Sequence, residues 1–203
     1  TDRPCRTGLC AGLDGIIFCR NKPQCNGVLR LWHIILDLTR MRIASWNVNS
    51  IKARLEIVTN WLAGNHCDIL LIQETKSQDT NFPITAFEEI GWHVGFHGQK
   101  SYNGVAIASR QKIKDVKYGL PDDESDEHAR YMEATIDGIR VATIYLPNGN
   151  PAPGPKFDYK LDWLDRLEAR ATKLLQSEMP IVLGGDYNVI PNDKDCFDPA
   201  GWA

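Results

Sequence analysis

The chain has 203 residues, 43% hydrophobic and 24% charged, with a formal net charge of −3. That composition supports one globular domain with a sizeable core and excludes wholesale disorder. No apolar run approaches the roughly 20 residues that a membrane-spanning helix needs. The best candidate, LRLWHIILDL at 29–38, carries Arg30, His33 and Asp37. The chain lacks the layout of a secretory signal peptide, so the expectation is a cytoplasmic, intracellular protein with no membrane partner.

Composition changes at residue 41. Residues 1–40 hold six Lys/Arg, three Asp/Glu and four of the six cysteines, which leaves 17 basic and 23 acidic residues in 41–203, a net of −6. Cys5, Cys10, Cys19 and Cys25 are separated by four, eight and five residues. Zinc sites instead use paired C-x-x-C spacing. The segment shows no clear periodicity and is read as an extension outside the domain, either upstream read-through or disorder. Met41 is the expected start of the domain.

From there the chain alternates strand-like and helix-like stretches. RIASWNV is a strand. Ile51, Leu55, Val58 and Leu62 then mark one helix face, which Ser50 could cap. Asp68 introduces ILLIQ, a continuous apolar run expected of a central strand covered on both faces. A short helix follows Pro83, with Phe87 and Ile90 inward. HVGF (93–96) and GVAIAS (104–109) read as strands. YMEATI and IRVATIYL are joined through Asp137-Gly138, a two-residue hairpin turn. The acidic run DDESDE (122–127) reads as a solvated loop without a role. An amphipathic helix runs from about Lys156 to Gln176, with Phe157, Leu161, Leu164, Leu167 and Leu174 on one side. IVLGG (181–185) is another buried strand. Hairpins mixed with β-α-β crossovers indicate a layered α/β sandwich.

Four apolar strands run out into polar groups suited to catalysis. The first delivers Asn47 and Asn49, ILLIQ delivers Glu74, VATIYLPNG delivers Tyr145 and Asn148, and IVLGGDYN delivers Asp186 and Asn188. Strand ends let a rigid sheet aim side chains into one crevice. Carboxylates, amides and a phenol suit a hard, oxygen-loving cation such as Mg²⁺ or Mn²⁺, which polarises phosphoryl oxygens. Each residue alone also has a plainer reading: an acid after a strand as a turn residue, Tyr145 as a strand aromatic, Asn188 as a turn cap.

The segments WNVNSIKAR, LIQETK, YNGVAIASR, YLPNGNP and GGDYNVIP occur in this order. Together they resemble the exonuclease III family of DNA-repair nucleases, within the endonuclease/exonuclease/phosphatase superfamily, over essentially all of 41–203. The resemblance implies a four-layered α/β sandwich of two mixed sheets flanked by helices. It also implies an enzyme that incises duplex DNA 5′ to abasic sites and removes nucleotides or blocks from 3′ ends with Mg²⁺ or Mn²⁺, acting as a monomer. Carried over by position, Glu74 is the principal metal carboxylate and Asn47 helps hold the metal, with Asp186 and Asn188 as further ligands. Asp186 orients or deprotonates the attacking water, Asn188 positions the phosphate and Tyr145 meets its developing charge. Lys52, Arg130 and Asn148 contact DNA phosphate or support the site.

That family also has a further Asp and a closing Asp-His pair, which no residue here matches. The resemblance therefore implies a domain incomplete at its C-terminus, with an uncovered face on the ILLIQ sheet. Two other readings remain open: a phosphoesterase of the superfamily acting on a non-DNA substrate such as an inositol phosphate, and an inactive fragment or DNA-binding remnant. The expectation is that 41–203 alone folds poorly and incises an abasic duplex far more slowly than a complete family member, a comparison that a strand-nicking assay makes directly.

Overall fold

The computed structural model describes residues 9–11, 17–19, 41–122 and 124–195. Strands β1 (Leu9–Ala11) and β2 (Ile17–Cys19) precede the domain. The first half of the domain holds β3 (Ile43–Asn47), α1 (Leu55–Ala63), β4 (Ile69–Gln73), α2 (Ile84–Glu88), β5 (His93–His97) and β6 (Val105–Ser109). The second half holds β7 (Lys114–Tyr118), β8 (Tyr131–Ile136), β9 (Ile139–Tyr145), α3 (Pro155–Leu175) and β10 (Ile181–Asp186).

Two mixed sheets result. One has the order β3-β4-β6-β5, the other β1-β2-β10-β9-β8-β7. Each contains one parallel pair, β3 with β4 and β9 with β10, and the remaining pairings are antiparallel. Strand periodicity explains how the sheets stack, since successive side chains point to opposite faces. Leu70 and Ile72 of β4 join Val58, Leu62 and Phe87 in a cluster beneath α1 and α2. Ile69 and Leu71 point the other way and pack with Val105, Ile107, Met132, Ala134, Val141 and Val182 between the sheets. Ala142 and Ile144 of β9 face Trp163, Leu167 and Leu174 of α3. The layers are therefore helices, sheet, sheet, helix. All five residues of β4 are buried, so the expected uncovered face is not found: β8, β9 and β10 cover it.

A buried hydrogen bond fixes how the sheets are stacked. Gln73 Nε2 donates to Thr143 Oγ1 at 3.0 Å, and Thr143 Oγ1 donates to the Ile72 carbonyl at 3.3 Å. A polar pair in this interior is stable only when matched, which penalises other registers. The second sheet also comes close enough that a Cβ on Gly184 would lie 2.6 Å from Leu71 Cδ1. The hairpin turn is as expected, with Asp137 at φ 49 and Gly138 at φ 78, the doubly positive geometry of a type I′ turn.

Several expectations change. Ser50 does not cap α1: its Oγ accepts from Ala53 N at 3.4 Å, within a 3-10 turn at Lys52–Arg54 that precedes the helix. On α3 the buried stripe is rotated from the one that leucine spacing suggests: Leu161 is 45% exposed and Trp163 is 1% exposed. The reason is polar. Arg166 and Arg170 turn inward to buried acids, so the inner face of α3 carries charges that a hydrophobicity count assigns to solvent. Asp126, within the acidic run read as solvated, accepts from Arg166 Nη2 at 2.7 Å and from Tyr159 Oη at 3.0 Å. Burial pushes its carboxyl up, but these bonds and those from His128 outweigh it and hold the group below the usual range. β7 was not foreseen because KDVKY is charged and its register slips between Lys114 and Lys117, which are edge-strand features. The unperiodic sequence before Met41 suggests no regular structure there. Yet β2 lies antiparallel to β10, where it pairs backbone groups that an edge would leave open. The rest of that segment, with the side chains of its cysteines, falls outside the described residues. Among the described residues no helix is long and apolar enough to cross a membrane.

Glu133 of β8 is 1% exposed. It accepts from Arg140 Nη2 at 2.6 Å, Tyr131 Oη at 2.5 Å, Arg170 Nε at 3.1 Å and also Arg170 Nη2. Burial raises its carboxyl, but the bonds from Arg170, Tyr131 and Arg140 prevail and hold it below its ordinary 4.5. A depressed folded pKa contributes stability that is present above the unfolded value and lost as pH falls through the folded one. Glu133→Gln would leave two arginines buried without their counter-charge, at a cost of about 3–5 kcal/mol. Urea denaturation should therefore show a lower midpoint for the variant at pH 7, and a smaller further loss than the native chain suffers below pH 4.5.

Candidate active site

The two parallel pairs end at the same crevice. The C-terminal ends of β3 and β4 present Asn47 and Glu74, and those of β9 and β10 present Tyr145 and Asp186. Main-chain bonds carry each ladder one step beyond the strands. Val48 N donates to Gln73 O at 3.0 Å and Leu146 N donates to Asp186 O at 2.9 Å. The loops thus leave the sheets in register, and the first polar residues of each lie side by side.

Asn47 is the hub. Its Nδ2 donates to Glu74 Oε1 at 2.8 Å and to Asp186 Oδ2 at 2.8 Å. One amide therefore joins a carboxylate of each sheet. The Tyr145 hydroxyl lies near the Glu74 carboxylate from the second sheet. Lys76 Nζ approaches the other Glu74 oxygen at 2.9 Å. Burial alone would raise the Glu74 carboxyl, but Asn47, Lys76 and Tyr145 reverse this and keep it below 4.5. Burial, reinforced by the Glu74 charge, pushes the Tyr145 phenol up to about 12. Near neutral pH Glu74 is therefore an acceptor and Tyr145 a donor.

Asp186 is held from its own loop as well, since Oδ1 accepts from Asn188 N at 3.0 Å. Asn188 Nδ2 donates to the Leu146 carbonyl at 2.8 Å, and Asn188 Oδ1 accepts from Asn148 Nδ2 at 3.4 Å. Arg130 lies over the Tyr145 ring with Cζ 4.8 Å from its centroid, and Nη1 donates to the Tyr145 carbonyl at 3.3 Å. Its Nε is buried with no hydrogen-bond partner among the described residues. Of the residues singled out in the sequence, Asn47, Glu74, Tyr145, Asp186, Asn188, Asn148 and Arg130 form one connected group. Lys52 does not join it: it stands exposed in the 3-10 turn.

Positive φ values gather here. Asn49 (42°), Ser50 (91°), Glu74 (53°), Lys76 (49°) and Asn188 (47°) all lie in the left-handed region, which costs non-glycine residues energy that the surroundings must repay. The YNG segment repays part of it, because Thr75 N bonds Gly104 O at 3.0 Å and Lys76 N bonds Asn103 O at 2.9 Å. Three further basic residues come close that the motifs did not single out. Lys76 bonds Asn49 Oδ1 as well as Glu74, Arg54 bonds the Asn49 carbonyl, and Lys160 bonds both loops of the second sheet. Lys76 was legible, two positions after Glu74 within QETK. Lys160 was not, because it sits far along the chain on a helix whose polar side reads as solvated.

The donor set is two carboxylates and amide oxygens. Among the described residues no cluster of three or more His, Cys, Asp or Glu could hold a metal ion by protein ligands alone. Carboxylate and amide oxygens are hard donors, of the kind that leave part of a bound cation's shell to water.

A family model described as the endonuclease/exonuclease/phosphatase family matches residues 44–202. The exodeoxyribonuclease III of Haemophilus influenzae is 31% identical over 160 residues, covering 76% of this chain and 60% of its own length. Among solved structures, the 3′ phosphatase NExo from Neisseria, bound to a product DNA hairpin, matches with a TM-score of 0.77 and 43% identity, over 80% of this chain and 63% of that one. An AP endonuclease from Archaeoglobus fulgidus matches with a TM-score of 0.72 and 44% identity, over 75% of this chain and 59% of that one. The chain spans 60% and 63% of the length of two curated relatives it matches.

Asn47→Ala would remove the donor that both carboxylates share. The Glu74 carboxyl should then titrate higher than in the native chain, and the protein should lose about 1–3 kcal/mol. Carboxyl ¹³C titration and urea denaturation measure the two effects.

Proposed function

Because the chain belongs to the exonuclease III family, within the endonuclease/exonuclease/phosphatase group, we propose that its site hydrolyses phosphodiester bonds of duplex DNA, 5′ to abasic sites and at 3′ ends. The observation that carries this reading is the Asn47 amide, which bridges Glu74 and Asp186 across the two sheets beside a protonated Tyr145. A working place inside the cell, cytoplasmic in a bacterium, and action as a monomer belong to the same proposal.

Glu74 is the principal metal-binding carboxylate, with Asn47 and in part Asp186 and Asn188 completing the set. Held there, Mg²⁺ or Mn²⁺ would supply Lewis-acid polarisation of a phosphoryl oxygen and offset charge on the leaving oxygen. Asp186 is held at Oδ2 by Asn47 and at Oδ1 by the Asn188 main chain. That leaves lone pairs free to accept the proton of an attacking water. The Tyr145 hydroxyl keeps its proton well above neutral pH, so it can donate to charge developing on the phosphate. Asn188 and Asn148 present amides on the same side. Arg130, stacked on the Tyr145 ring, fixes that ring in place. Lys52, exposed in the 3-10 turn, is assigned to the flanking DNA backbone rather than to the reacting group.

Residues 41–203 carry a net charge of −6, an unusual balance for a DNA-binding domain. The charges are unevenly spread: Lys76, Arg130 and Lys160 lie by the two carboxylates or their neighbours, and Arg54 holds the loop after β3. Phosphate contacts of this kind position a duplex without reading its sequence.

The test is nicking of a duplex with one abasic site. Mg²⁺-dependent incision that chelator abolishes is expected, far slower than that of a complete family member because the closing Asp-His pair has no match here. Glu74→Gln should slow it by at least about a hundredfold, and Tyr145→Phe by about a hundred- to a thousandfold, as for loss of one transition-state donor. Hydrolysis of a soluble inositol phosphate in preference to the duplex would overturn the substrate assignment. Chelator-insensitive DNA binding without cleavage would overturn the catalytic one.

A further inference from the structure

Lys160 lies outside the motifs that carry the proposed chemistry, in the second turn of α3. Its Nζ nevertheless donates to the Asn188 carbonyl at 2.8 Å and to the Asn148 carbonyl at 3.2 Å. A lysine on a surface helix ordinarily keeps its ammonium in water and lays only its stem on the protein. Here the ammonium is spent on two main-chain carbonyls, one from the loop after β9 and one from the loop after β10.

The route of the stem is prepared from the other side. Gly149 has φ +82, and a Cβ there would meet Lys160 Cδ at 2.6 Å and Lys160 Cβ at 3.3 Å. Glycine is needed twice at this position, for its backbone conformation and for the space that the lysine fills. Burial lowers the Lys160 pKa and the nearby Asp186 charge opposes that shift, as expected of a cation drawn partly out of solvent.

We propose that Lys160 is a positioning residue of the site. Its ammonium fastens the main chains of Asn148 and Asn188 to one another, and so sets their side-chain amides at the Asp186 end of the crevice. The proposal rests on the reading in which those amides receive a phosphate. Two features show what the fastening controls. Asn148 Nδ2 reaches Asn188 Oδ1 at 3.4 Å, and Asn188 N holds Asp186 Oδ1 at 3.0 Å. A shift of either loop would open the first contact and turn the Asp186 carboxylate.

Amide hydrogen exchange and side-chain amide NMR of the full chain test this without calling on activity. In Lys160→Met, main-chain amides in 146–150 and 187–190 should exchange about tenfold faster, the effect of losing charge-assisted bonds to both loops. The Nδ2 signals of Asn148 and Asn188 should move, while those of an asparagine remote from the loops, Asn60 on α1, stay in place. Lys160→Arg should restore part of the protection. Gly149→Ala should reproduce the methionine pattern by displacing the stem. Wild-type exchange and unmoved Asn148 and Asn188 signals in Lys160→Met would overturn the proposal. So would a change spread evenly over every asparagine, the mark of a general loss of stability. Failure of the phosphate reading would show elsewhere, as absence of Mg²⁺-dependent nicking by the unsubstituted protein, and would leave the exchange comparison intact.

Discussion

The Asn47 amide sits between two carboxylates that belong to different sheets, and its two bonds require those sheets to meet in one register. Neither carboxylate would come so close to the other without a donor between them, because paired acids in a partly buried crevice repel. The amide carries no charge, so it relieves part of that repulsion while leaving the pair electronegative. Much of the fold serves this juxtaposition. The Gln73–Thr143 bond sets how the sheets stack, Gly184 lets the second sheet approach Leu71, and each parallel ladder continues one step past its strands.

The helix α3 has a second task besides covering its sheet. Its inner face is tied to the domain by Arg166 on Asp126, Arg170 on Glu133 and Lys160 on the loop carbonyls. These contacts are directional, whereas the packing of Trp163, Leu167 and Leu174 is not. Apolar burial supplies the bulk of the attraction, and the basic residues decide how far along its axis and at what rotation the helix comes to rest. The site is sensitive to that choice because Lys160 lies on the same face.

Much of this was legible in the sequence. Apolar runs such as ILLIQ and IVLGG, the Asp137-Gly138 turn and the strand-to-polar transitions at Asn47, Glu74, Tyr145 and Asp186 are local signals, and each depends only on near neighbours. What escaped depends on distant partners. Asp126 reads as one acid among many until Arg166 and Tyr159 reach it. Glu133 in YMEATI alternates like a solvent-facing strand residue, but α3 brings Arg170 over it. Leu161 fits a leucine stripe and is nevertheless exposed, because polar anchors set the helix rotation. Lys160 required knowing that Gly149 would lie against its stem.

The distance along the chain between Asn47 and Asp186 is 139 residues. Contacts so remote form late, because a large loop must close before they contribute anything. During synthesis the β3-β4-β6-β5 sheet is the first whose strands have all emerged, with Ile69, Leu71, Val105 and Ile107 awaiting partners that are still to be made. Until β8, β9 and β10 arrive, that apolar surface is open to other chains, the usual hazard of slow, non-local assembly. The crevice is therefore among the last parts of the molecule to exist, and a nascent chain passes through a stage that needs protection before it has any chemistry to offer.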